Sequence, residues 1–297
     1  MENRYEEFWE RPEVDWHEKI PHHYHVSALG ACHAGLDPKL HYGPCMRQSF
    51  YKIVDPLPES PESKGNLRMG NILHEAMQKE EKLKNPNCVI EFPLYMEFER
   101  NNRKISISGS VDIVDFHKNC YPQTFDVIDI KSASEYTLPK DENDRNPTYF
   151  AQVAIYSYIL QNFYFNPMFM KLLTMRVRYI AKHNAGINVV KLPYKNSLGK
   201  PMFDSFVDRC FEMDEQLYPE PEPDLILPDA EPMRWCGLCD YAARCVADVI
   251  YEKDIPEFTE EQVQGFFEKF TGRNVYWRGS LTKGYLKYRE AFKIKDE

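Results

Sequence analysis

The feature that most restricts the fold is the alternation of apolar and small polar side chains over residues 104–116. Successive side chains of a strand point to opposite faces of a sheet. KISISGSVDIVDF therefore predicts a strand with one buried face and one polar face that reaches Asp112. A second apolar segment, FDVIDIK at 125–131, predicts another strand and encloses Asp129 among branched apolar residues. An enclosed carboxylate is costly unless a cation or a hydrogen-bond donor meets it. The chain is therefore expected to form a sheet built around acidic side chains.

Other segments surround these two strands with helices and further strands. The patterns predict an amphipathic helix at 69–84, a strand at 88–98, an apolar helix at 148–164, a hairpin at 171–192 and a helix at 201–217. The proline-rich stretch 218–232 predicts an extended connector, because proline lacks the N–H that helices and strands use. Since strands and helices do not alternate regularly, the expected class is mixed α/β (α+β) rather than a Rossmann array.

Composition excludes several classes of protein. With 43% hydrophobic and 14% aromatic residues among 297, the chain is too rich in core-forming residues to be disordered. No stretch approaches the roughly 18–20 apolar residues of a membrane span, and the acidic N-terminus lacks the apolar segment of a secretory signal. The expected location is therefore the cytoplasm, without a membrane partner. In that reducing compartment the eight cysteines favour metal ligands or buried thiols over disulfides.

Asp112, Asp129 and Lys131 form a candidate catalytic group. Asp129 and Lys131 are two residues apart, so they project from the same face of their strand, and an adjacent strand could bring Asp112 beside them. Two crowded carboxylates repel each other unless a divalent cation lies between them, and carboxylate oxygens suit Mg²⁺ or Mn²⁺. A lysine beside such a metal can orient an attacking water or stabilise charge on a phosphoryl group. A surface aspartate and an ordinary Asp–Lys pair are the alternative interpretation.

Two neighbouring helices supply further polar residues. His74 lies in the helix that precedes the strands, and an imidazole can complete a metal site. Gln152 and Tyr156 are four residues apart in the helix that follows, so they share one face. Taken singly, each has an ordinary explanation, as a hydrogen-bonded helix histidine or as the polar edge of a core helix. Their order carries more weight: a helical histidine, then G-x-x-D, then D-x-K, then Q-x-x-x-Y.

This order resembles the RecB-like branch of the PD-(D/E)xK nuclease superfamily. The matching residues are His74, Gly109-Ser110-Val111-Asp112, Asp129-Ile130-Lys131 and Gln152 with Tyr156. The resemblance implies a restriction-endonuclease-like core, in which a mixed central sheet is flanked by helices.

The same resemblance implies a role for each matching residue. The metal would be bound by His74, Asp112, Asp129 and the backbone carbonyl of Ile130. Lys131 would position the nucleophilic water. Gln152 and Tyr156 would contact DNA or support the site, and Glu91 in the preceding strand would at most assist.

Three cysteines lie close together near residue 240. Cys236, Cys239 and Cys245 form a C-x2-C-x5-C cluster, which in a reducing compartment indicates metal binding. A fourth ligand is needed, for which Cys45 and Cys32 are the candidates. Four thiolates fit either zinc or an iron–sulfur cluster, and spacing alone does not decide between them. A buried cysteine pair with a chance third cysteine is the alternative.

The cysteine pattern is similar to that of the iron–sulfur members of the RecB-like exonucleases. These include the CRISPR-adaptation exonuclease, its phage relatives and the AddB-type helicase-nucleases. The resemblance implies a 4Fe-4S cluster that ties the two ends of the chain together around the nuclease core. Cys45-Met-Arg47 matches the C-x-R of the family, so the implied ligands are Cys45, Cys236, Cys239 and Cys245. No helicase P-loop, G-x4-G-K-[ST], is present in the sequence.

Charge is unevenly distributed in this acidic chain, whose formal net charge is −9. Residues 269–295 contain eight Lys and Arg, one acid and six aromatic residues. Basic residues interleaved with aromatics suit a phosphate backbone and stacked bases, and Lys283, Lys287 and Lys293 are the predicted DNA contacts. Tyr285, Tyr288 and Phe292 are expected to dock this segment on the core. A solvated basic face of a terminal helix is the alternative.

The implied organisation has three parts. Residues 1–44 form an N-terminal extension, 45–250 a nuclease domain with the cluster, and 251–297 a basic aromatic C-terminal segment. The extension is expected to be irregular. Its histidines, such as His23 and His25, are expected to be solvated, because their spacing fits no rigid metal site.

The expected function is a Mg²⁺- or Mn²⁺-dependent DNA exonuclease with a structural 4Fe-4S cluster. The resemblance implies a preference for single-stranded ends, commonly from the 5′ side, and the residues themselves show no polarity. CRISPR adaptation, phage recombination and repair, with their protein partners, would all use these same residues. The alternative is a non-cleaving DNA-binding or assembly subunit that has kept the fold and cluster. The intact site argues against it, since a degenerate site usually loses a ligand.

Overall fold

The structure is a computed structural model, and the residues it describes are 21–29, 31–32, 41–42, 45–54, 56–57, 61–117, 123–133, 138–139, 147–182, 186–193, 195–218, 239, 241–245, 259–271, 274–277 and 280–292. The predicted connector from residue 219 onward, Cys236 and Lys293 lie outside the described residues.

The secondary structure mixes helices and strands along the whole described chain. The helices are α1 (Val26–Leu29), α2 (Met46–Val54), α3 (Pro61–Lys84), α4 (Pro147–Ile159), α5 (Asn196–Leu217), α6 (Glu260–Thr271) and α7 (Lys283–Ala291). The strands are β1 (His23–His25), β2 (Ala31–Cys32), β3 (His41–Tyr42), β4 (Val89–Arg100), β5 (Arg103–His117), β6 (Gln123–Ala133), β7 (Met170–Ala181), β8 (Ile187–Pro193), β9 (Tyr276–Trp277) and β10 (Ser280–Leu281). A π-helical turn, Leu160–Tyr164, continues α4.

The chain divides into two compact units. The first comprises residues 1–31 and 65–210, and the second comprises residues 32–64 and 211–297. Among the described helices, none combines the length and the apolar character that a membrane crossing requires.

A six-stranded mixed sheet forms the first unit. Its order is β1-β5-β6-β7-β8, with β4 also paired to β5. β1 is parallel to β5 and β6 is parallel to β7, whereas the pairs β4–β5, β5–β6 and β7–β8 are antiparallel. The predicted class, a mixed α/β fold with a mixed central sheet flanked by helices, is confirmed.

Helix α4 connects the two parallel strands β6 and β7. Parallel neighbours require a crossover that returns the chain to the starting end of the sheet, and α4 packs against both strands. Its apolar residues are buried, among them Phe150, Ala151, Ala154 and Ile155. The predicted helix at 148–164 is therefore correct in place, although its last five residues form the π-helical turn.

Helix α3 covers another part of the sheet. Leu73 and Met77 pack against Ile113, Ile128 and Ile130 in one hydrophobic cluster. At the far end of the helix, Arg178 Nη1 of β7 lies 2.8 Å from Glu81 Oε2, and both side chains are largely buried. Since a half-broken buried ion pair is strongly destabilising, this contact holds α3 in register on the sheet.

The expectation that residues 1–44 are irregular and that their histidines are solvated is wrong for β1, which pairs with β5. His23 lies opposite Ser106 of β5, and His25 lies opposite Ser108. The two ring nitrogens of His23 lie 2.7 Å from Ser106 Oγ and 2.9 Å from Ser108 Oγ. A three-residue strand, whose middle residue Tyr24 is buried, is too short to show a hydrophobic alternation, so only its pairing with β5 reveals it.

The second unit has its own hydrophobic core. Ala242 packs with Val263 and Phe267 of α6, with Val275, and with Tyr285 and Tyr288 of α7. Thr282 caps α7, because its hydroxyl accepts the N–H of Tyr285 at 3.2 Å. Arg289 Nε donates to Glu260 Oε2 at 2.6 Å. Tyr285 and Tyr288 thus pack in the second unit's own core, together with Ala242 and against Cys239.

Candidate active site

The candidate site lies where the pairing of β5 with β6 ends. β4 occupies one edge of β5, and β1 and β6 share the other edge at different heights. β1 pairs with residues 106–108, whereas β6 pairs only with residues 113–117. The stretch between them, 109–112, therefore has no strand on that edge among the described residues. This opening leaves room for the side chains that the sequence singled out.

Asp112 bridges the opening. Its Oδ2 accepts a hydrogen bond from the backbone N–H of Ile130 in β6. The backbone pairing of β5 with β6 ends at Ile113 and Ile128. The N–H of Ile130 lies beyond this pairing, and the Asp112 carboxylate satisfies it instead. The separation of the two strands places Asp112 next to Asp129 and Lys131.

Asp129 and Lys131 form a close ion pair. Lys131 Nζ lies 3.0 Å from the Asp129 carboxylate, and 5.4 Å from the centroid of the Tyr149 ring of α4. The predicted common face of the two residues is therefore correct. Asp129 is only 2% exposed, and its Oδ2 lies 3.0 Å from Lys131 Nζ but makes no hydrogen bond of good geometry among the described residues. A buried carboxylate that shares one ammonium with the neighbouring Asp112 is suited to a further cation.

His74 reaches the same place from α3. Its Nδ1 lies 3.7 Å from Asp112 Oδ1, and its ring hydrogen-bonds to the backbone carbonyl of Ile130. Burial lowers the pKa of His74, so the ring is neutral at pH 7, which is the form that binds metals. The four groups predicted to bind a metal, on His74, Asp112, Asp129 and Ile130, are therefore brought together.

The electrostatics of the site are dominated by crowded carboxylates. Burial raises the pKa of Asp112 well above its usual range, and the charge of Asp129 raises it further. Burial also raises the pKa of Asp129. Burial alone would lower the pKa of Lys131, but the two carboxylates raise it, so the ammonium stays charged. One ammonium does not balance the buried acids, and a divalent cation would.

Glu91 belongs to this site, although its position in the sequence offered little reason to include it. It lies on β4 opposite Asp112 with a φ of 51°, which is rare for a residue with a side chain. Its carboxylate accepts hydrogen bonds from Gln78 of α3 and, at 2.7 Å, from Ser110 of β5. Its charge raises the pKa of Asp112. Strained backbone of this kind persists where its surroundings hold it, often at functional sites.

Gln152 and Tyr156 support the site from α4. Gln152 Nε2 donates to the hydroxyl of Tyr156 at 3.1 Å, as their common face predicts. The Tyr156 ring is buried against Gly109, where an added Cβ would lie 2.7 Å from its Cε1. Burial and the Asp129 charge raise the pKa of Tyr156, so the phenol stays protonated. Tyr156, at 1% exposure, is positioned to support the site rather than to form its surface.

Gly109→Ala is expected to displace Tyr156. The new methyl group would overlap the ring, so we expect a loss of about 1–3 kcal/mol in the free energy of unfolding, together with impaired function of the site. The matched control is Gly65→Ala in α3, where nothing lies within 4 Å of the added Cβ. That change should stabilise the protein by about 0.5–1 kcal/mol. Urea unfolding of both variants measures the difference, and equal stabilities would contradict the proposed packing.

A second polar group lies farther along β5 and β6. It consists of Asp115, His117 and Asp126. Each of these residues offers one possible metal-ligand atom, and these atoms all lie within 4.8 Å of one another. The ligand atoms of His74, Asp112 and Asp129, which were predicted to bind a metal, do not all meet this distance criterion. However, Asp126 already accepts hydrogen bonds from Arg176 and Thr174. Because the guanidinium neutralises Asp126, this group is better explained as a buried ion-pair network than as a metal site.

The described cysteines of the predicted cluster fall in the second unit. Cys45 directly precedes α2, and its sulfur accepts the N–H of Gln48 at 3.4 Å. Tyr51 of the same helix stacks on Tyr241 at 5.5 Å and lies under the Arg244 guanidinium at 4.7 Å. These contacts join the segment after Cys45 to the segment between Cys239 and Cys245. Cys236 lies outside the described residues.

The predicted DNA contacts lie on or beyond α7. Lys283 and Lys287 are residues of this helix, and their side chains lie outside the described part of the structure, as does the whole of Lys293. Tyr285 and Tyr288 of the same helix are buried. The helical positions of Lys283 and Lys287 differ from those of the buried tyrosines, since residues two apart or adjacent do not share a face.

A family model identifies the chain by sequence. The model that describes the PD-(D/E)XK nuclease superfamily matches residues 79–246, which is more than half of the chain. The chain belongs to the PD-(D/E)XK nuclease superfamily. The matched range includes Asp112, Asp129 and Lys131, which the fold places at the opening of the sheet. His74 and Cys45 lie outside the matched range.

Two solved structures also resemble this superfamily member. The crystal structure of SSO0001 has 17% sequence identity and a TM-score of 0.43, over 79% of this chain and 88% of that chain. A protein from Eubacterium rectale, described as a candidate exonuclease, has 15% identity and a TM-score of 0.39, over 79% of this chain and 91% of that chain. No curated protein matches the sequence.

Proposed function

We propose that this protein is a metal-dependent DNA exonuclease of the RecB-like branch. The observation that carries the proposal is the pair of buried carboxylates, Asp112 and Asp129, which share the Lys131 ammonium and lie beside the neutral ring of His74. Two buried carboxylates that share one ammonium cost free energy unless a further cation completes the site. Membership of a nuclease superfamily makes a divalent cation the expected ligand and a phosphodiester the expected substrate.

The residues of the site fit Mg²⁺ or Mn²⁺. Hard divalent cations prefer carboxylate, carbonyl and water oxygens, and Mn²⁺ also accepts imidazole. Asp112, Asp129 and the carbonyl of Ile130 offer oxygen ligands, and the neutral ring of His74 offers a nitrogen. A bound cation would supply Lewis-acid activation of water and charge stabilisation of the phosphate.

The protein groups around the cation have distinct tasks in this proposal. Lys131, kept charged by Asp129, orients the attacking water and stabilises negative charge on the phosphate. Gln152 and Tyr156 hold β5 and α4 together behind the site. Glu91, fixed by Gln78 and Ser110, adds an acidic group on the β4 side of the opening.

The second part of the proposal is a 4Fe-4S cluster held by Cys45, Cys236, Cys239 and Cys245. The contacts of Tyr51 with Tyr241 and Arg244 support it, because they join the two chain segments that carry these cysteines. Cys45 accepts a backbone N–H from Gln48, and hydrogen bonds of this kind to sulfur tune the potentials of iron–sulfur clusters. The cluster would fasten the N-terminal cysteine to the C-terminal core around Ala242.

Nucleotide release from labelled DNA tests the catalytic proposal. We expect Mg²⁺- or Mn²⁺-dependent release of nucleotides from the ends of single-stranded oligonucleotides, with less from duplex ends. Labels at the 5′ and 3′ ends, followed separately, give the polarity, for which the resemblance favours the 5′ side. DNA binding without cleavage in either metal would instead support the non-catalytic subunit.

The basic C-terminal segment is proposed to extend the DNA-binding surface. Replacing Lys283, Lys287 and Lys293 with Gln is expected to weaken single-strand binding. The log–log slope of affinity against salt should fall by up to about one unit for each phosphate that is no longer neutralised. Cleavage at saturating DNA should survive, since the metal site is untouched. Fluorescence anisotropy between low and moderate salt measures both quantities. An unchanged slope would make the segment an ordinary solvated helix face.

A further inference from the structure

Strand β1 directs His25 to the opening that holds the candidate metal site. β1 runs parallel to β5 and ends at His25, opposite Ser108. β6 runs antiparallel to β5, and its Asp129 and Lys131 follow the last pair of the ladder, Ile113–Ile128. The two strands therefore point toward the same stretch of β5 from opposite ends. His25 and Lys131 approach each other across residues 109–112.

The contacts of His25 determine which of its nitrogens carries the proton. The backbone N–H of Ser27 donates to Nδ1 at 3.2 Å, and the Ser27 hydroxyl lies 2.8 Å from the same atom. A backbone N–H can only donate, so Nδ1 is the acceptor and the neutral ring carries its hydrogen on Nε2. Within the described part of the chain, Nε2 has no hydrogen-bond partner, and it is not one of the buried unpaired atoms. Nε2–H is therefore a fixed donor that a ligand can reach.

The surroundings of His25 keep this donor neutral and aligned. Burial lowers the pKa of His25, and the neighbouring His23 and Lys131 lower it further. His23 is held by Ser106 and Ser108, which continue the polar face of β5 away from Asp112. Tyr95 of β4, partly exposed, lies 6.4 Å from the His23 ring in a nearly parallel orientation. A polar strip with aromatic rings thus leads from the metal site along β5.

We propose that His25 binds the DNA strand, with its Nε2–H donating to a non-bridging oxygen of a phosphodiester next to the scissile one. The assignment rests on the proposed nuclease function, since only a strand whose phosphate lies at Asp112 and Asp129 would run along this strip. A neutral donor suits this position, because two carboxylates and Lys131 already set the charge of the opening. His25 is thus a positioning and substrate-binding residue, and a ligand of the metal is not its role. Tyr95 offers an exposed ring on which a base of the same strand could stack.

Two variants of similar size isolate the donor. His25→Gln keeps a side-chain N–H, whereas His25→Met removes it and fills a comparable volume. We expect the Met variant to lower single-turnover cleavage of single-stranded DNA by about 10- to 100-fold, the usual effect of one hydrogen bond to a charged group. The Gln variant should recover most of this loss. The matched control is His22→Asn, a half-buried residue with a φ of 60° that asparagine tolerates.

A modified substrate separates contact from mere structural support. Oligonucleotides with a single methylphosphonate, which removes one charged oxygen, are placed in turn at each phosphate around the cleavage point. At one position, the methylphosphonate should slow cleavage by the wild type by about the same factor as His25→Met slows cleavage of the unmodified substrate. The Met variant should show no further slowing at that position. Thermal unfolding confirms that both variants fold.

The outcomes of these experiments are distinct. Equal cleavage rates for the Gln and Met variants would overturn the assignment of His25. The same holds if every methylphosphonate slows the Met variant as much as it slows the wild type. Neither outcome would affect the proposed nuclease function. A wild-type protein that cleaves no DNA in Mg²⁺ or Mn²⁺ would overturn the proposed function, and the His25 assignment with it.

Discussion

Asp129→Asn is expected to lower the rate of metal-dependent DNA cleavage by about a thousandfold or more, while the fold is retained. The carboxylate is the centre of the site: Lys131 Nζ lies 3.0 Å from it, and its charge raises the pKa of the neighbouring Asp112. Asparagine keeps its shape and one acceptor oxygen but removes the charge that a cation requires. It is preferable to Asp129→Ala, which would leave the buried Lys131 ammonium without a partner.

Two measurements test this prediction. Nucleotide release gives the rate, and the shift of the unfolding temperature on adding Mn²⁺ reports metal binding without any need for turnover. We expect Mn²⁺ to stabilise the wild type and to have little effect on Asp129→Asn. The matched control is Asp208→Asn, an exposed carboxylate that pairs with Arg100 at 2.7 Å. A variant at Asp129 with near-wild-type cleavage would remove this residue from the site.

Cys239→Ser is expected to cause the second large effect, the loss of iron and of much of the stability of the second unit. Removal of one thiolate ligand opens the cluster, and metal binding is coupled to folding in such sites. Cys239 also packs against the hydrophobic core that joins Ala242 to Phe267 and Tyr288. Loss of the cluster should therefore loosen α6 and α7 as well. Iron and sulfide analysis of anaerobically purified protein, with its visible absorption and thermal unfolding, measures these changes.

The control for the cluster is a cysteine of the first unit. Cys88 is fully buried beside Met77, and burial raises the pKa of its thiol, as expected of an inert structural cysteine. Cys88→Ala should lose some stability and no iron. One equivalent of zinc in the wild type, without iron or sulfide, would replace the iron–sulfur proposal with a structural zinc site.

The strands and helices that position the candidate site were largely predictable from local pattern. The alternating segment 104–116 lies in β5, and the apolar segment 125–131 lies in β6. The helix predicted at 69–84 is the main part of α3. The pairing of Asp129 with Lys131 and of Gln152 with Tyr156 followed from spacing alone. In each case the interacting side chains are two or four residues apart. The geometry of one strand or one helix was then sufficient.

Two features of the site could not be predicted in this way. Glu91 enters the site through a left-handed backbone conformation, which the apolar–polar alternation of a strand does not reveal. His23 and His25 were predicted to belong to an irregular extension, because a strand of three residues is too short to show an apolar–polar alternation. Both features depend on β5, which lies opposite Glu91 and offers β1 an edge to pair with.

The sequence by itself determined which residues can carry chemistry, because residue type and short-range spacing are properties of the local chain. It specified Asp112, Asp129, Lys131 and His74 as a set, and the family model placed the chain in the PD-(D/E)XK nuclease superfamily. Only the tertiary structure decided how they meet, through the separation of β5 from β6 and the arrival of α3 and β1 at that opening. These contacts join residues far apart in the chain, and their geometry depends on strand order, register and helix packing. No local pattern encodes those quantities.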